Sequence, residues 1–90
     1  MTLTTRTTEL IAKHIVLDPH RSGPAYARLR DEGVHVWALI AALQSNGWDL
    51  ADVAEDFAVP AEAVEAAIAY YAQHHEAIDA RLAINAAAFS

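Results

Sequence analysis

Apolar residues recur at the spacing of an α-helix from Val36 almost to the end of this 90-residue chain, and this pattern constrains the fold more than any other feature. The first run has apolar side chains three and four residues apart: Val36, Leu39, Ile40 and Leu43. The last run marks one long helix of about 20–25 residues that reaches Ile84. Its stripe consists of Val64, Ile68, Tyr71, His75, Ile78 and Leu82. The chain is therefore predicted to be mainly helical.

Three residues between these two runs are typical of helix ends. Gly47 follows the first run and suits a left-handed C-terminal cap, and Asp49 occupies an N-cap position. Pro60 is tolerated in the first turn of the helix that follows. These residues predict a short second helix over Leu50–Phe57 and a third helix that starts near Pro60.

Residues 50–70 have the spacing of a helix-turn-helix motif. Ala54 supplies the small residue at which the second helix of the motif crosses the first, and Ala58 supplies a small residue in the turn. The positions that should be buried between the two helices are all apolar: Val53, Phe57, Val59, Val64 and Ala67. The positions expected to be exposed early in the second helix are Ala61, Glu62, Glu65 and Ala66.

The motif lacks the side chains with which such a helix reads DNA. Residues 50–72 contain no Arg, Lys, Asn or Gln, so phosphate contacts and bidentate base contacts are not available there. This composition favours a compact three-helix scaffold over a motif that reads the major groove. DNA binding stays open only through other parts of the chain.

The N-terminal part carries short β-type runs. Residues 14–17 are an apolar run that Asp18 and Pro19 stop, which is typical of a strand followed by a turn. Residues 26–29 and 34–36 flank a polar segment with a glycine, a pattern that predicts a β-hairpin. We therefore expect a mainly α fold, with a short N-terminal β-hairpin followed by a three-helix helix-turn-helix bundle with a long C-terminal helix. The expected organisation is a flexible or partly helical segment at 1–13, one domain at 14–84 and a tail at 85–90.

Composition bears on location and assembly. A chain this short has a marginal core, and it has no cysteine with which to reinforce it, so homodimerisation is the simplest reinforcement. No apolar run approaches the about 20 residues that cross a bilayer, and the threonine-rich start does not resemble a signal peptide. We expect a cytoplasmic homodimer that does not contact membranes.

Charge is unevenly distributed along the chain. The formal net charge is −6, and residues 47–90 alone carry −7, from eight acidic side chains against Arg81. An acidic half repels phosphate and attracts basic partners, although a solubilising face is the simpler alternative. Most basic residues lie in the other half. The candidate nucleic-acid contacts there are Arg21, Arg28, Arg30 and His35.

Patterns of catalytic or metal-binding residues are weak. Ser22, Ser45 and Ser90 lie outside any nucleophile motif, and no glycine-rich phosphate loop occurs. His75 and Asp79 are four residues apart and could share a metal ion, but two ligands fall short of a zinc site. We therefore expect no enzyme activity, no metal, no cofactor and no small-molecule substrate.

Four segments of the chain occur in the order and spacing of a known family. They are Ile15-Val16-Leu17-Asp18-Pro19, Ala27-Arg28-Leu29, Val34-His35-Val36-Trp37 and Tyr70-Tyr71-Ala72-Gln73-His74-His75-Glu76-Ala77-Ile78-Asp79. Over about residues 14–82 the chain thus resembles the bacterial, antitoxin-like family called domain of unknown function 433, which has a helix-turn-helix. One turn departs from the family pattern, because Asp31-Glu32-Gly33 stands in place of Gly-Thr-Arg. Arg28 and Arg30 are the nearest replacements for the lost arginine.

The resemblance implies an antitoxin role, since relatives are commonly encoded beside PIN-like nuclease toxins. We expect the acidic C-terminal half to bind a basic protein of this kind. Adjacent residues of a helix face different sides, so one of the two neighbouring tyrosines should face the core and the other a partner. The candidate partner contacts are Tyr70, Tyr71, His74, Glu76, Asp79 and Leu82. The alternative is a DNA-binding transcriptional regulator that uses the N-terminal arginines.

Overall fold

The computed structural model of the chain describes residues 2–88 and confirms a mainly helical fold with a short antiparallel strand pair and a long C-terminal helix. The other helices all pack against this last helix. In chain order the elements are α1 (Thr2–His14), β1 (Ile15–Val16), a 3₁₀ helix (Pro24–Tyr26), β2 (Arg28–Leu29), α2 (Val36–Ser45), α3 (Leu50–Phe57) and α4 (Ala61–Ala88). None of the described helices is long and apolar enough to cross a membrane.

The helix ends predicted around α3 are confirmed. Asp49 is the N-cap of α3, and its carboxylate accepts a hydrogen bond of 3.1 Å from the backbone N–H of Asp52. Gly47 has a φ of 76°, and the next backbone N–H, that of Trp48, donates to the carbonyl of Leu43 at 2.7 Å. This bond across the helix end is the Schellman arrangement, which satisfies a carbonyl that the helix leaves unpaired.

The strand pairing differs from the predicted hairpin. The run at residues 14–17 is confirmed as β1, which pairs antiparallel with β2 through Ile15 with Leu29 and Val16 with Arg28. Residues 34–36 form no strand and contribute one bridge, between His35 and Arg28. The difference arises because α2 already begins at Val36, so no residues remain to extend a second ladder.

The N-terminal segment forms a complete helix, which covers the start of α4. Leu10 is buried in the core, and two exposed ion pairs join the helices, Arg6 to Glu65 at 2.9 Å and Lys13 to Glu62 at 3.5 Å. Arg30 fixes the end of α1, since its guanidinium donates to the carbonyls of Ala12 at 2.9 Å and Lys13 at 3.2 Å.

This packing corrects one expectation about the helix-turn-helix segment. Ala66, expected to be exposed early in the second helix of the motif, is 0% exposed. Glu62 and Glu65 are half-buried against α1 rather than free on a solvent face, because the lysine and arginine of α1 reach them. The crossing residue Ala54 is buried, as the motif requires.

The long helix α4 is interrupted once. His74 has a φ of −131° and a ψ of 31°, which are not helical values. The segment beyond it packs back onto the core, where Ile78 is fully buried and Leu82 lies against the buried cluster. The end of α4 therefore has packing partners within its own chain.

The turn between α3 and α4 gives a test of the fold. Ala58 has a φ of 55° and a ψ of 44°, the left-handed region in which a residue with a Cβ is disfavoured by about 1–2 kcal/mol. Ala58→Gly should raise the free energy of unfolding in urea by about 0.5–1 kcal/mol, less than the full relief because glycine loses more entropy on folding. Ala72→Gly, at an exposed helical position of α4, is the control and should lower it by about 1 kcal/mol. Two changes of the same sign would contradict this description of the turn.

Candidate interaction surface

Trp48 occupies an unusual backbone position at the surface. Its φ is 66°, a left-handed value that is a clear outlier for so bulky a residue, and its side chain is 45% exposed. Hydrogen bonds hold the peptide groups on both sides of this residue, from the Trp48 N–H to the Leu43 carbonyl at 2.7 Å and from the Asp49 N–H to Oδ1 of Asn46 at 3.1 Å. Large exposed aromatic side chains are frequent anchors of protein interfaces. The structure thus holds an indole at the surface on a constrained backbone.

Tyr71 lies beside Trp48 and links it to the second segment of α4. The ring centroids of the two residues are 6.1 Å apart with an angle of 37° between the ring planes. The Tyr71 hydroxyl donates a hydrogen bond of 2.6 Å to Oδ1 of Asp79. The hydrogen bond to Asp79, together with partial burial, raises the pKa of Tyr71 above its ordinary value.

His75 lies at the edge of the same group. Its Nδ1 is 4.0 Å from Oδ2 of Asp79, and its ring approaches Tyr71 edge-on at 6.5 Å. No set of three or more His, Asp or Glu side chains within the described residues is placed to hold a metal ion. The site therefore offers aromatic faces and a carboxylate rather than a ligand set.

Tyr70 has a different environment from its neighbour. It is only 4% exposed, its hydroxyl donates to the carbonyl of Pro24 at 2.8 Å, and its ring stacks at 4.4 Å from that of His74. Burial raises the pKa of Tyr70. Of the two adjacent tyrosines, Tyr70 is thus the core residue and Tyr71 the one that presents surface.

The remaining candidate partner contacts lie further along α4. Glu76 is exposed, and Leu82 lines an open groove of about 370 Å³ between α2 and the end of α4. Ile84, nearby in sequence, is 60% exposed. The groove is lined by Trp37, Ala41, Gln44, Ser45, Leu82, Asn85 and Ala86. Sequence reasoning missed Trp48 as a site residue, although its position directly after a helix-ending glycine was a usable signal.

The candidate nucleic-acid contacts lie in different environments in the structure. Arg30 is occupied with the carbonyls at the end of α1, whereas Arg28 and His35 are paired across the β-bridge. The Arg21 guanidinium lies 5.4 Å from the centre of the Tyr26 ring. Arg81, which the sequence did not suggest, lies over the same ring at 5.5 Å.

Trp37 extends this arginine group. The Arg81 guanidinium lies 5.6 Å from the Trp37 ring, and the His35 ring is 5.8 Å from it. In the part of the chain that the structure describes, no carboxylate oxygen lies within 4.0 Å of Arg21, Arg28 or Arg81. The charge of Arg28 acts on Asp18, whose pKa is lowered mainly by a hydrogen bond from the His20 N–H and further by this arginine.

Comparisons with known proteins give a family and no close relative. The sequence model of the family described as Protein of unknown function (DUF433) matches residues 15–71, from β1 to the surface tyrosine of α4. No curated protein and no solved structure matches the chain. α1 and the part of α4 beyond Tyr71 lie outside the matched range.

The raised pKa values of the two tyrosines predict how stability changes at alkaline pH. A group whose pKa is raised by folding contributes stability that is complete below its unfolded pKa, about 10 for tyrosine, and is lost as pH rises through the folded value. The free energy of unfolding in urea should therefore fall above about pH 10. In the double variant Tyr70→Phe with Tyr71→Phe, the free energy of unfolding should start from a lower value and should decrease less steeply as pH rises above about 10. If the free energy of unfolding changed with pH by the same slope in both proteins, the pKa values of these tyrosines would not be raised by folding.

Proposed function

The chain belongs to the DUF433 family, and from its own geometry we propose that it is a non-enzymatic protein-binding module, the antitoxin of a PIN-like toxin–antitoxin pair. The observation that carries the proposal is the pair of the exposed Trp48 and the half-buried Tyr71, with the carboxylate of Asp79 beside the tyrosine. Tyrosine and tryptophan supply much of the binding energy of protein interfaces. The family resemblance supplies the nature of the partner.

The charge of the C-terminal half supports a basic partner. Glu62 and Glu65 are engaged by α1, but the other six acidic side chains of this half are exposed: Asp49, Asp52, Glu55, Asp56, Glu76 and Asp79. A nuclease binds RNA through a basic surface, and an acidic surface can occupy it while steering the encounter. The toxin would thus be captured at the surface that it uses for its substrate.

The environment of the helix-turn-helix favours this function over reading of the major groove. A recognition helix presents its first turns to the bases, and in this chain those turns carry Glu62 and Glu65, which face the basic residues of α1. The fully buried Ala66 lies on the same stretch. The motif is therefore better suited to scaffold the protein-binding surface.

We further propose that the module is a homodimer in the cytoplasm. The open groove and the exposed Ile84 leave apolar surface along the end of α4 that a second copy would cover. Sedimentation equilibrium would then give twice the chain mass of 9.8 kDa, whereas a mass that stays at that value at high concentration would remove the dimer from the proposal.

The antitoxin function is tested by co-expression with the product of the neighbouring gene. The chain should co-purify with a small basic nuclease and inhibit it. Because an acidic face accelerates association, the triple variant Asp52→Asn, Glu55→Gln, Asp56→Asn should lower the association rate by about tenfold.

A matched control makes the same change of charge in the other half of the chain. The triple variant Glu9→Gln, Asp31→Asn, Glu32→Gln alters three exposed acids and should leave the rate within about twofold of the native chain. Equal losses of association rate in the two triple variants would contradict the proposal. A neighbouring protein that does not bind the chain would also contradict it. Truncation within α4 is unsuitable, because it would remove the buried Ile78 from the core.

A second candidate function, binding of nucleic acid, is favoured by the arginine group around Tyr26 and Trp37. Arg21 and Arg81 of this group, together with Arg28, have no carboxylate oxygen within 4.0 Å among the described residues and would make about six phosphate contacts in a dimer. The logarithm of the affinity for duplex DNA should then fall with the logarithm of salt concentration with a slope of about −5. Arg21→Ala with Arg81→Ala should flatten this slope. Arg6→Ala, which removes a charge already paired with Glu65, should not. A salt-independent affinity, or equal effects of both changes, would exclude this function.

A further inference from the structure

We propose that Trp48, Tyr71 and Asp79 form a binding site for one arginine side chain of a protein partner. The inference rests on the proposed protein-binding function and deepens it, since it names the group that the acidic surface receives. It is carried by the geometry of the two rings, the position of the carboxylate and the distribution of the chain's own cations.

The two rings provide the face on which a guanidinium can stack. Their centroids are 6.1 Å apart and their planes are inclined by 37°, so they form an open angle rather than a closed stack. Trp48 is 45% exposed and Tyr71 is half-buried, so part of this aromatic surface is in contact with solvent. A cation within about 6 Å of a tryptophan or tyrosine ring is attracted by the electron-rich face, most strongly by tryptophan.

The carboxylate of Asp79 provides the opposite charge at the hydroxyl edge of the Tyr71 ring. Its Oδ1 accepts the Tyr71 hydroxyl at 2.6 Å, which fixes the position of the group. Among the described residues, its Oδ2 has only the long 4.0 Å approach of His75 Nδ1. An arginine donates its planar N–H groups along its edges while it stacks through its face, so one guanidinium can use both the rings and Oδ2.

The site is preorganised by the backbone. The left-handed φ of 66° at Trp48 lies between two fixed peptide groups, because the Trp48 N–H donates to the Leu43 carbonyl and the Asp49 N–H donates to Oδ1 of Asn46. Residues kept in such sparsely populated conformations concentrate at functional sites, because the surrounding structure must maintain them. A partner would therefore meet an indole that is already in place.

The chain's own cations are elsewhere. Arg81 lies over Tyr26 and Trp37, and Arg21 lies over Tyr26. Among the described residues no lysine or arginine of the chain lies over Trp48 or Tyr71. The aromatic pair that reaches the surface beside a carboxylate is thus also a pair without a cation of its own chain, and this complementarity points to a cation from a partner as the occupant.

The site can be tested without the natural partner. The full chain is titrated with a capped peptide of alternating glycine and arginine, and the two indole N–H resonances are followed by NMR. The Trp48 resonance should shift, and the Trp37 resonance should stay, because its ring already has Arg81. The same peptide with citrulline in place of arginine keeps the shape and loses the charge, and it should not shift Trp48. Binding of both peptides alike would overturn the proposal.

Matched variants separate the site from the general acidity of the surface. Trp48→Leu should weaken the peptide by about three- to tenfold, the range expected from loss of one cation–aromatic contact, and Trp48→Phe should restore most of the affinity. Asp79→Asn should also weaken it severalfold, whereas Glu76→Gln, an identical charge change on the same helix, should alter it by less than about twofold. Circular dichroism confirms that each variant is folded. Equal effects of the Asp79 and Glu76 changes would show attraction by net charge alone and would overturn the site.

The failure of this site and the failure of the antitoxin function give different results. If the neighbouring nuclease does not bind but the arginine peptide still shifts the Trp48 resonance, the antitoxin function is wrong and the arginine site is supported. If the nuclease binds the native chain and the Trp48→Leu variant equally well, the arginine site is wrong and the antitoxin function is supported.

Discussion

The first half of α4 carries a face of buried alanines, and the other helices can pack closely against it because these side chains are small. Ala63, Ala66 and Ala67 are all 0% exposed, and their spacing of three and four residues places them on one face of α4, about 100° wide. α1, α2 and α3 all pack against α4. The two ion pairs of α1 are exposed and contribute little to stability compared with this packing. They fix which residues of α1 and α4 face each other.

The features that could be predicted from the sequence are those that local chemistry decides. Asp49 and Gly47 define the ends of their helices through side-chain and backbone bonds within a few residues, so the bounds of α3 follow directly. The position of α1 depends on Arg30, which lies sixteen to eighteen residues from the carbonyls and backbone it supports, and no local pattern encodes it. No glycine or proline lies near His74, so the sequence gives no signal for the interruption of the helix there.

The candidate site shows the same division. The acidity of the C-terminal half and the pairing of one surface tyrosine with one buried tyrosine follow from counting charges and from helical geometry. Which tyrosine is buried depends on a hydrogen bond from Tyr70 to Pro24, which is 46 residues away. Trp48 joins the site only because α4 returns beside the turn that follows α2. Neither the amino-acid composition nor the helical periodicity of the sequence predicts such a contact, because it forms only when the two elements are packed together.

The two surfaces of opposite charge meet in one turn of α4. Asp79 and Arg81 are two residues apart, which places them about 200° apart around the helix and therefore on nearly opposite sides. Asp79 accepts the Tyr71 hydroxyl on one side, Arg81 lies over Tyr26 and Trp37 on the other, and Ile78 is fully buried in the core. This turn is thus held from three directions. The separation of cation-attracting and anion-attracting surfaces is consequently a property of a single helical turn, and a displacement of that turn would change both surfaces together.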